Sequence, residues 1–219
     1  MSTLTKMALG LMGQLKPQPV STPADSITQL PKAHISGGLP LMQTLLLRQS
    51  QRAFESSPLP AQVLSDVLWA AAGINRPELG GRTVPSAMNA QEVSVYAALP
   101  DGLYRYAAAD QSLHLVVASD VRRVTGYQDF VDNAPVDLIY VADHTGMALV
   151  PASQRQSYAW ASAGAMAQNV YLYCASAGLA TVLRAWVDRQ ALAQAMGLGN
   201  EQQVLMCQTL GRPRVVPGD

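Results

Sequence analysis

The chain has 219 residues, a formal net charge of +0, 14% charged residues and 49% hydrophobic residues. The neutral balance argues against a nucleic-acid footprint. No run approaches the roughly 20 apolar residues that span a bilayer, and two cysteines, Cys174 and Cys207, without Cys-x-x-Cys spacing argue against a metal framework or disulfide scaffold. So much apolar sequence with so few charges points to a large core, or to surface buried against another chain.

The first forty residues read as an N-terminal extension. Lys6 followed by Met7 to Met12 resembles a weak secretory signal, with one basic residue, an apolar stretch at the short limit and no small-x-small site directly after it. Cytoplasmic location is the expectation, a periplasmic form the alternative. Residues 13–40, rich in Pro, Ser, Thr, Gln and Gly, read as an extended linker or an arm lying over a partner.

The domain proper is expected over residues 41–219. Leu41–Leu47 reads as a short helix. It runs into Arg48-Gln49-Ser50-Gln51-Arg52-Ala53-Phe54, where two arginines four positions apart flank a serine. On one helical turn both heads reach one point. Guanidinium forks and a hydroxyl suit a phosphate, although a solvated basic turn at a helix end has the same composition. Pro58–Gly73 reads as a second helix, with Leu64, Val67, Leu68 and Ala71 in one apolar stripe. Residues 74–84 read as a loop in which Arg76 and Arg82 are solvated or attract an anion.

Pro85-Ser86-Ala87-Met88-Asn89-Ala90-Gln91 reads as a turn of small hydrogen-bonding residues. Glu92–Leu99 and Gly102–Ala107 read as strands joined at Pro100-Asp101-Gly102. Leu113–Ala118 reads as a third strand, Ser119 as the cap of a helix running to Thr125, and Val136–Ala142 as a strand buried on both faces. Residues 157–177 form the longest helical pattern, alanine-rich and almost uncharged around its circumference, hence a buried spine or a dimer helix. Gly178 ends it. Leu179–Val187 carries Leu183, Arg184, Ala185 and Trp186 into Asp188, a cap for the helix Arg189–Met196. Gln203–Leu210 reads as the last strand, followed by Gly211-Arg212-Pro213-Arg214.

Three of these stretches resemble, in order, the signatures of one family. Arg48–Phe54 is similar to the Arg-Arg-Ser-x-Arg-x-Phe motif of the nitroreductase-like flavoproteins, Pro85–Gln91 to their Pro-Ser-x-x-Asn-x-Gln turn, and Gly178–Arg184 to their Gly-Leu-Gly-Thr-type turn. The resemblance covers about residues 41–214, and within the family it is closest to the short SagB-type dehydrogenase-like members.

The resemblance implies an α+β nitroreductase-like fold: a central, mostly antiparallel sheet flanked by helices, in an interlocked homodimer with two FMN sites at the interface. It implies that Arg48, Gln49, Ser50, Arg52 and Arg214, with Arg212 as second choice, address the FMN phosphate. Pro85, Ser86, Ala87 and Asn89 would approach the flavin from the partner subunit, Gln128 the pyrimidine edge, and the backbone of Leu183, Arg184, Ala185 and Trp186 the N5 and O4 edge. Family members tend to carry glycine near Ala185 and Trp186, so Trp186 bears on substrate size. The implied activity is an oxidoreductase passing hydride from NAD(P)H through FMN to a small organic acceptor such as a nitroaromatic or a quinone. The alternatives are a SagB-type azoline or peptide oxidase, and a flavin-binding protein without turnover. No protein nucleophile or acid–base pair stands out among His34, His114 and His144, which fits chemistry carried by the flavin. No metal is expected.

Overall fold

The computed structural model describes residues 1–23 and 26–214. Its frame is a seven-stranded sheet in which every neighbouring pair is antiparallel. The strands are β1 (Ile27–Gln29), β2 (Val93–Leu99), β3 (Gly102–Ala107), β4 (Ser112–Val117), β5 (Val136–Asp143), β6 (Ala180–Arg184) and β7 (Gln202–Gly211). Across the sheet they run β6-β7-β5-β2-β3-β4-β1. The β2–β4 meander forms where alternating apolar residues flank tight turns, with Leu99 opposite Gly102 at the first hairpin. Gly102 has φ +156, and an added Cβ there would meet the Val117 carbonyl oxygen at 3.2 Å, so the turn is closed by the absence of a side chain.

Two helices cover one face. α3 (Ala61–Ala72) and α4 (Ala152–Ala177) pack Leu64, Val67, Leu68, Ala163, Ala167 and Val170 onto Val95, Ala97, Leu138 and Tyr140. Each large apolar chain buried here, such as Leu68, contributes about 1.5–3 kcal/mol. The other face carries α5 (Arg189–Met196), whose Leu192 and Met196 meet Tyr96, Ile139, Val141 and Val204. Asp188 caps α5 as expected, accepting from the Ala191 N–H at 3.0 Å. With both faces covered, β5 is buried through to Ala142, which explains its near-continuous apolar sequence.

Three elements differ from the sequence reading, α4 in two respects. α4 begins at Ala152, directly after Pro151, five residues before the expected start. Ser153, Gln154 and Gln156 are exposed and Arg155 is half-buried, and this polar first turn breaks the apolar periodicity without breaking the helix. Nor is α4 buried all round: Tyr158, Ala161 and Gln168 form an exposed, uncharged stripe, opposite the side that meets the sheet. The helix expected after Ser119 does not form. Ser119 and Asp120 pair with Gln18 and Pro19, and the Asp120 carboxylate holds the Arg122 N–H at 3.0 Å and its guanidinium at 2.6 and 2.9 Å. Finally, the N-terminal extension packs on the domain. α1 (Thr3–Leu11) docks through Lys6, fully buried, whose ammonium reaches Asp132 at 2.8 Å and the Gln128 carbonyl at 3.1 Å, and residues 27–29 add the edge strand β1. Burial pulls the Lys6 ammonium down from its usual value, and Asp132 pulls it back up. Among the described residues, no helix is long and apolar enough to cross a membrane.

Candidate active site

The site is built where α2 (Leu41–Leu47) ends. Arg48 is its C-cap with extended backbone, φ −58 and ψ 119, so the single helical turn expected through Arg52 is not formed. Residues 48–53 instead run beside β6, the edge strand of the sheet. The Gln51 N–H donates to the Thr181 carbonyl at 3.0 Å, and Phe54 bridges to Pro213. Arg48 and Ser50 there both reach Tyr171 of α4, and Arg52 is exposed. The C-terminal tail closes the group. The Glu55 N–H donates to the Arg212 carbonyl at 3.0 Å, and the Arg214 N–H to the Ala53 carbonyl at 3.1 Å. The backbone thus carries four arginines to one sheet edge, with Glu55 lining a cavity beside Arg214, and among the described residues none of their guanidiniums forms an ion pair.

Tyr171 of α4 supports the group. Its hydroxyl lies 2.7 Å from Ser50 Oγ and accepts from the Leu183 N–H at 2.9 Å, while the Arg48 guanidinium stands 5.3 Å from the ring centroid. The sequence offered one signal for this residue: a tyrosine in an alanine-rich buried helix has a hydroxyl that needs a partner. Gln49 is exposed, and Leu183 is half-buried.

Arg184 has a different place. Its side chain turns to the opposite face of the sheet, into a buried network. It pairs with Asp137 at 2.7 Å and donates to the Thr125 carbonyl at 2.6 Å, to Thr125 Oγ1 at 3.1 Å and to Thr209 Oγ1 at 3.0 Å. Burial pushes the Asp137 carboxyl up, opposed by the Arg184 guanidinium and by the Thr209 and Thr125 hydroxyls. Only the Arg184 backbone is left for a ligand at the Ser50 edge. Gln128 belongs to that opposite face too, its amide oxygen 3.4 Å from the Arg184 guanidinium. Ala185 is exposed, and Trp186 is 52% exposed, its ring 5.5 Å from that of Tyr127.

The Pro85–Gln91 turn is held in a strained shape. Met88, Asn89 and Gln91 all have positive φ, near +50°, a conformation that costs an L residue about 1–2 kcal/mol. Local bonds hold it there: the Gln91 N–H donates to Ser86 Oγ at 3.0 Å, and the Gln91 side chain joins the Arg82 guanidinium at 2.7 Å to the Gly80 carbonyl at 2.8 Å. Arg82 is therefore a brace for the turn and not a free cation. Pro85, Ser86 and Ala87 line a cavity of about 280 Å³ against Tyr158, Ala161 and Ser162. Ser162 precedes Tyr171 by nine residues on α4, about 14 Å along the axis. Within one protomer the turn and the arginine group therefore meet the same helix at well-separated points.

Other polar residues are used structurally. The Asp66 carboxylate holds the His34 N–H at 2.8 Å, the His34 ring at 3.2 Å and the Tyr173 hydroxyl at 3.3 Å beside a cavity of about 630 Å³. His144 lies 3.2 Å from the Gln203 side chain, and His114 2.9 Å from Ser112. Cys174 and Cys207 are free and buried, and burial pushes both thiols up to about 12. Among the described residues no group of three or more His, Cys, Asp and Glu is gathered as metal ligands.

Comparison with known proteins places these motifs in context. A family model described as "Nitroreductase family" matches residues 45–212. A protein of Methanocaldococcus jannaschii, provisionally named a nitroreductase, is 33% identical over 152 residues, covering 65% of this chain and 76% of the relative. A crystal structure from Ralstonia eutropha, also provisionally named a nitroreductase, is 47% identical, with a TM-score of 0.87 over 92% of this chain and 96% of the other. The NADPH:FMN oxidoreductase of Vibrio harveyi, solved in complex with NAD+, shares the fold at 20% identity, with a TM-score of 0.61 over 81% of this chain and 70% of that one.

Proposed function

The chain belongs to the nitroreductase family, and from that premise we propose that it is an FMN-dependent oxidoreductase that takes hydride from NAD(P)H and gives it to a small organic acceptor such as a nitroaromatic or a quinone. The observation that supports this reading is the meeting of the Arg48–Arg52 segment and the Arg212–Arg214 tail beside the edge strand β6, where among the described residues none of the four guanidiniums forms an ion pair. That donor set fits a phosphate dianion: guanidinium forks supply charge, and a hydroxyl supplies a directed donor. Arg48, Ser50 and Arg52, with Arg214, would hold the phosphate. The backbone of residues 183–186 would face the redox edge of the ring, where fixed N–H donors favour developing negative charge. FMN, when bound, supplies the hydride chemistry, leaving the protein to bind, orient and exclude water. Because donor and acceptor use one pocket in turn, the kinetics are expected to be ping-pong.

The second half of the proposal is a homodimer. α2 exposes Leu41, Met42, Leu45, Leu46 and Leu47, with Leu46 at 84%, and Met88, Leu149 and Tyr158 are exposed as well. Apolar surface of this extent on one molecule is characteristic of a protein interface. A partner seated there would bring its own Pro85–Asn89 turn to the flavin, so that Ser86 and Asn89 complete a site the protomer leaves open.

The test begins with the visible spectrum of the purified protein, then anaerobic NADPH. Two flavin bands, bleached by NADPH, are the expected result. A colourless protein that takes up no added FMN would refute the assignment. Arg48→Ala and Arg52→Ala should each weaken FMN binding by roughly 10- to 100-fold, the range for a lost charge-assisted bond of about 1.5–3 kcal/mol. Unchanged affinity would remove the phosphate from this edge.

A further inference from the structure

We propose that Tyr171 is the positioning residue for the phosphate end of the site, its hydroxyl setting that of Ser50 as a donor toward the phosphate. The inference rests on the FMN reading and adds to it a residue that touches no ligand atom itself.

The direction of each bond follows from what each group is able to do. A backbone N–H only donates, so the Leu183 N–H, 2.9 Å away, takes one lone pair of the Tyr171 oxygen. The tyrosine proton then needs an acceptor, and the one within reach is Ser50 Oγ at 2.7 Å. A serine oxygen that accepts from tyrosine has its own proton left over. Ser50 is exposed, and the Arg48 guanidinium stands near it over the Tyr171 ring. Its proton is therefore free to point outward beside the Arg48 guanidinium, where a phosphate oxygen would accept it. The result is a line of three hydrogen bonds, from β6 backbone to tyrosine to serine to ligand, in which each bond polarises the next.

The ring does a second task. The Arg48 guanidinium stands 5.3 Å from the Tyr171 centroid, a cation–π contact that holds it beside Ser50. One side chain thus places two of the phosphate contacts. It sits on α4, which is buried against the sheet on that side, and Tyr171 is itself only 8% exposed. The same hydroxyl also takes the Leu183 N–H, which the edge strand β6 cannot pair with β7. This ties the phosphate end to the strand that leads to Ala185 and Trp186.

The test compares FMN with riboflavin, which lacks the phosphate, as ligands of the flavin-free dimer, by quenching of flavin fluorescence. Tyr171→Phe keeps the ring and the arginine contact and loses only the hydroxyl. FMN affinity should fall about tenfold, while riboflavin affinity stays within about twofold. Ser50→Ala should give the same split, and the double variant should bind FMN no worse than Ser50→Ala alone, because tyrosine acts through serine. Tyr171→Phe with unchanged FMN affinity overturns the proposal. So does an equal loss of both flavins, which would mark a merely structural tyrosine, and so do additive losses. Ser50 is on the surface and its variant cannot unfold the chain, so if Tyr171→Phe fails to fold, unchanged FMN affinity in Ser50→Ala overturns the proposal by itself. A wild-type protein that binds neither flavin overturns the FMN reading, and this assignment with it, which keeps the two failures distinct.

Discussion

Removing the Asp137 carboxylate should cost a large share of the fold's stability and leave flavin binding alone. The Asp137 side chain is fully buried and that of Arg184 is 3% exposed. Asp137→Leu leaves a guanidinium in the core with its bonds to Thr125 and Thr209 but no counter-charge, and strips an acceptor from both threonine hydroxyls. Breaking a buried pair in this way costs about 3–5 kcal/mol, against a total of about 5–15 kcal/mol for a domain. With a urea slope near 2 kcal/mol/M, the midpoint should fall by about 2 M. Replacing both partners, Asp137→Leu with Arg184→Met, removes the stranded charge and should restore all but about 1 kcal/mol. Urea unfolding followed by tryptophan fluorescence reads both values. A single-variant shift under about 0.5 M, or a double variant as unstable as the sum of the singles, would refute the reasoning. FMN affinity of the double variant should match wild type, because the Arg184 side chain faces away from Ser50; a tenfold loss would return that side chain to the site.

Two further outcomes follow from burial and backbone shape. With both thiols pushed up to about 12, against about 8.5 in an unfolded chain, the native state holds two protons that the unfolded state has lost between those values. Stability from this source is complete below about pH 8.5 and falls as pH rises toward 12, by up to about 3 kcal/mol per pH unit. The urea midpoint should therefore drop steadily above pH 9, and Ellman's reagent should find no reactive thiol in the native protein at pH 8 and both after unfolding; a reactive native thiol would contradict the sealed core. Met88, at φ 54 and 71% exposed, should gain about 0.5–1 kcal/mol on replacement by glycine and lose at least as much on replacement by valine; a thermal melt that ranks them the other way would refute the strained turn.

The parts of the fold set by local chemistry were legible in the sequence. Alternating residues and Pro100-Asp101-Gly102 gave the β2–β3 hairpin, Gly178 the end of α4, and Asp188 the start of α5. What failed depended on distant partners. Residues 1–40 read as an extension apart from the domain because nothing nearby reveals Asp132, 126 residues from Lys6, which pairs with that lysine. The Arg184 side chain's buried pairing is not legible because its partner Asp137 is 47 residues away in the chain. The site was legible as residues and not as geometry. Arg48 and Arg52 do not share the helical turn that their spacing suggests, because β6 beside them holds the segment extended. Tyr171 was passed over because its role depends on Leu183 and Ser50 meeting it across three separate segments.

The two halves of the proposed site sit about 14 Å apart along α4 in one protomer, and this gives a sharp test of the dimer. In a two-fold dimer the patches are reciprocal, so each flavin would use the arginine group of one chain and the Pro85–Asn89 turn of the other. A chain carrying Arg48→Ala and Arg52→Ala spoils one half of every site, and a chain carrying Ser86→Ala and Asn89→Ala spoils the other. Each variant alone should bind FMN poorly. Unfolded together and refolded at equal ratio, about half the dimers pair unlike chains, and each of those has one site with no defect and one with both. About a quarter of all sites should therefore recover wild-type affinity, a fraction read directly from the tight phase of an FMN titration. Sites built within one chain would show no tight phase at any mixing ratio. Nor could the recovered fraction exceed one quarter unless unlike chains pair preferentially, which the molecular-mass profile of a tagged mixture would reveal.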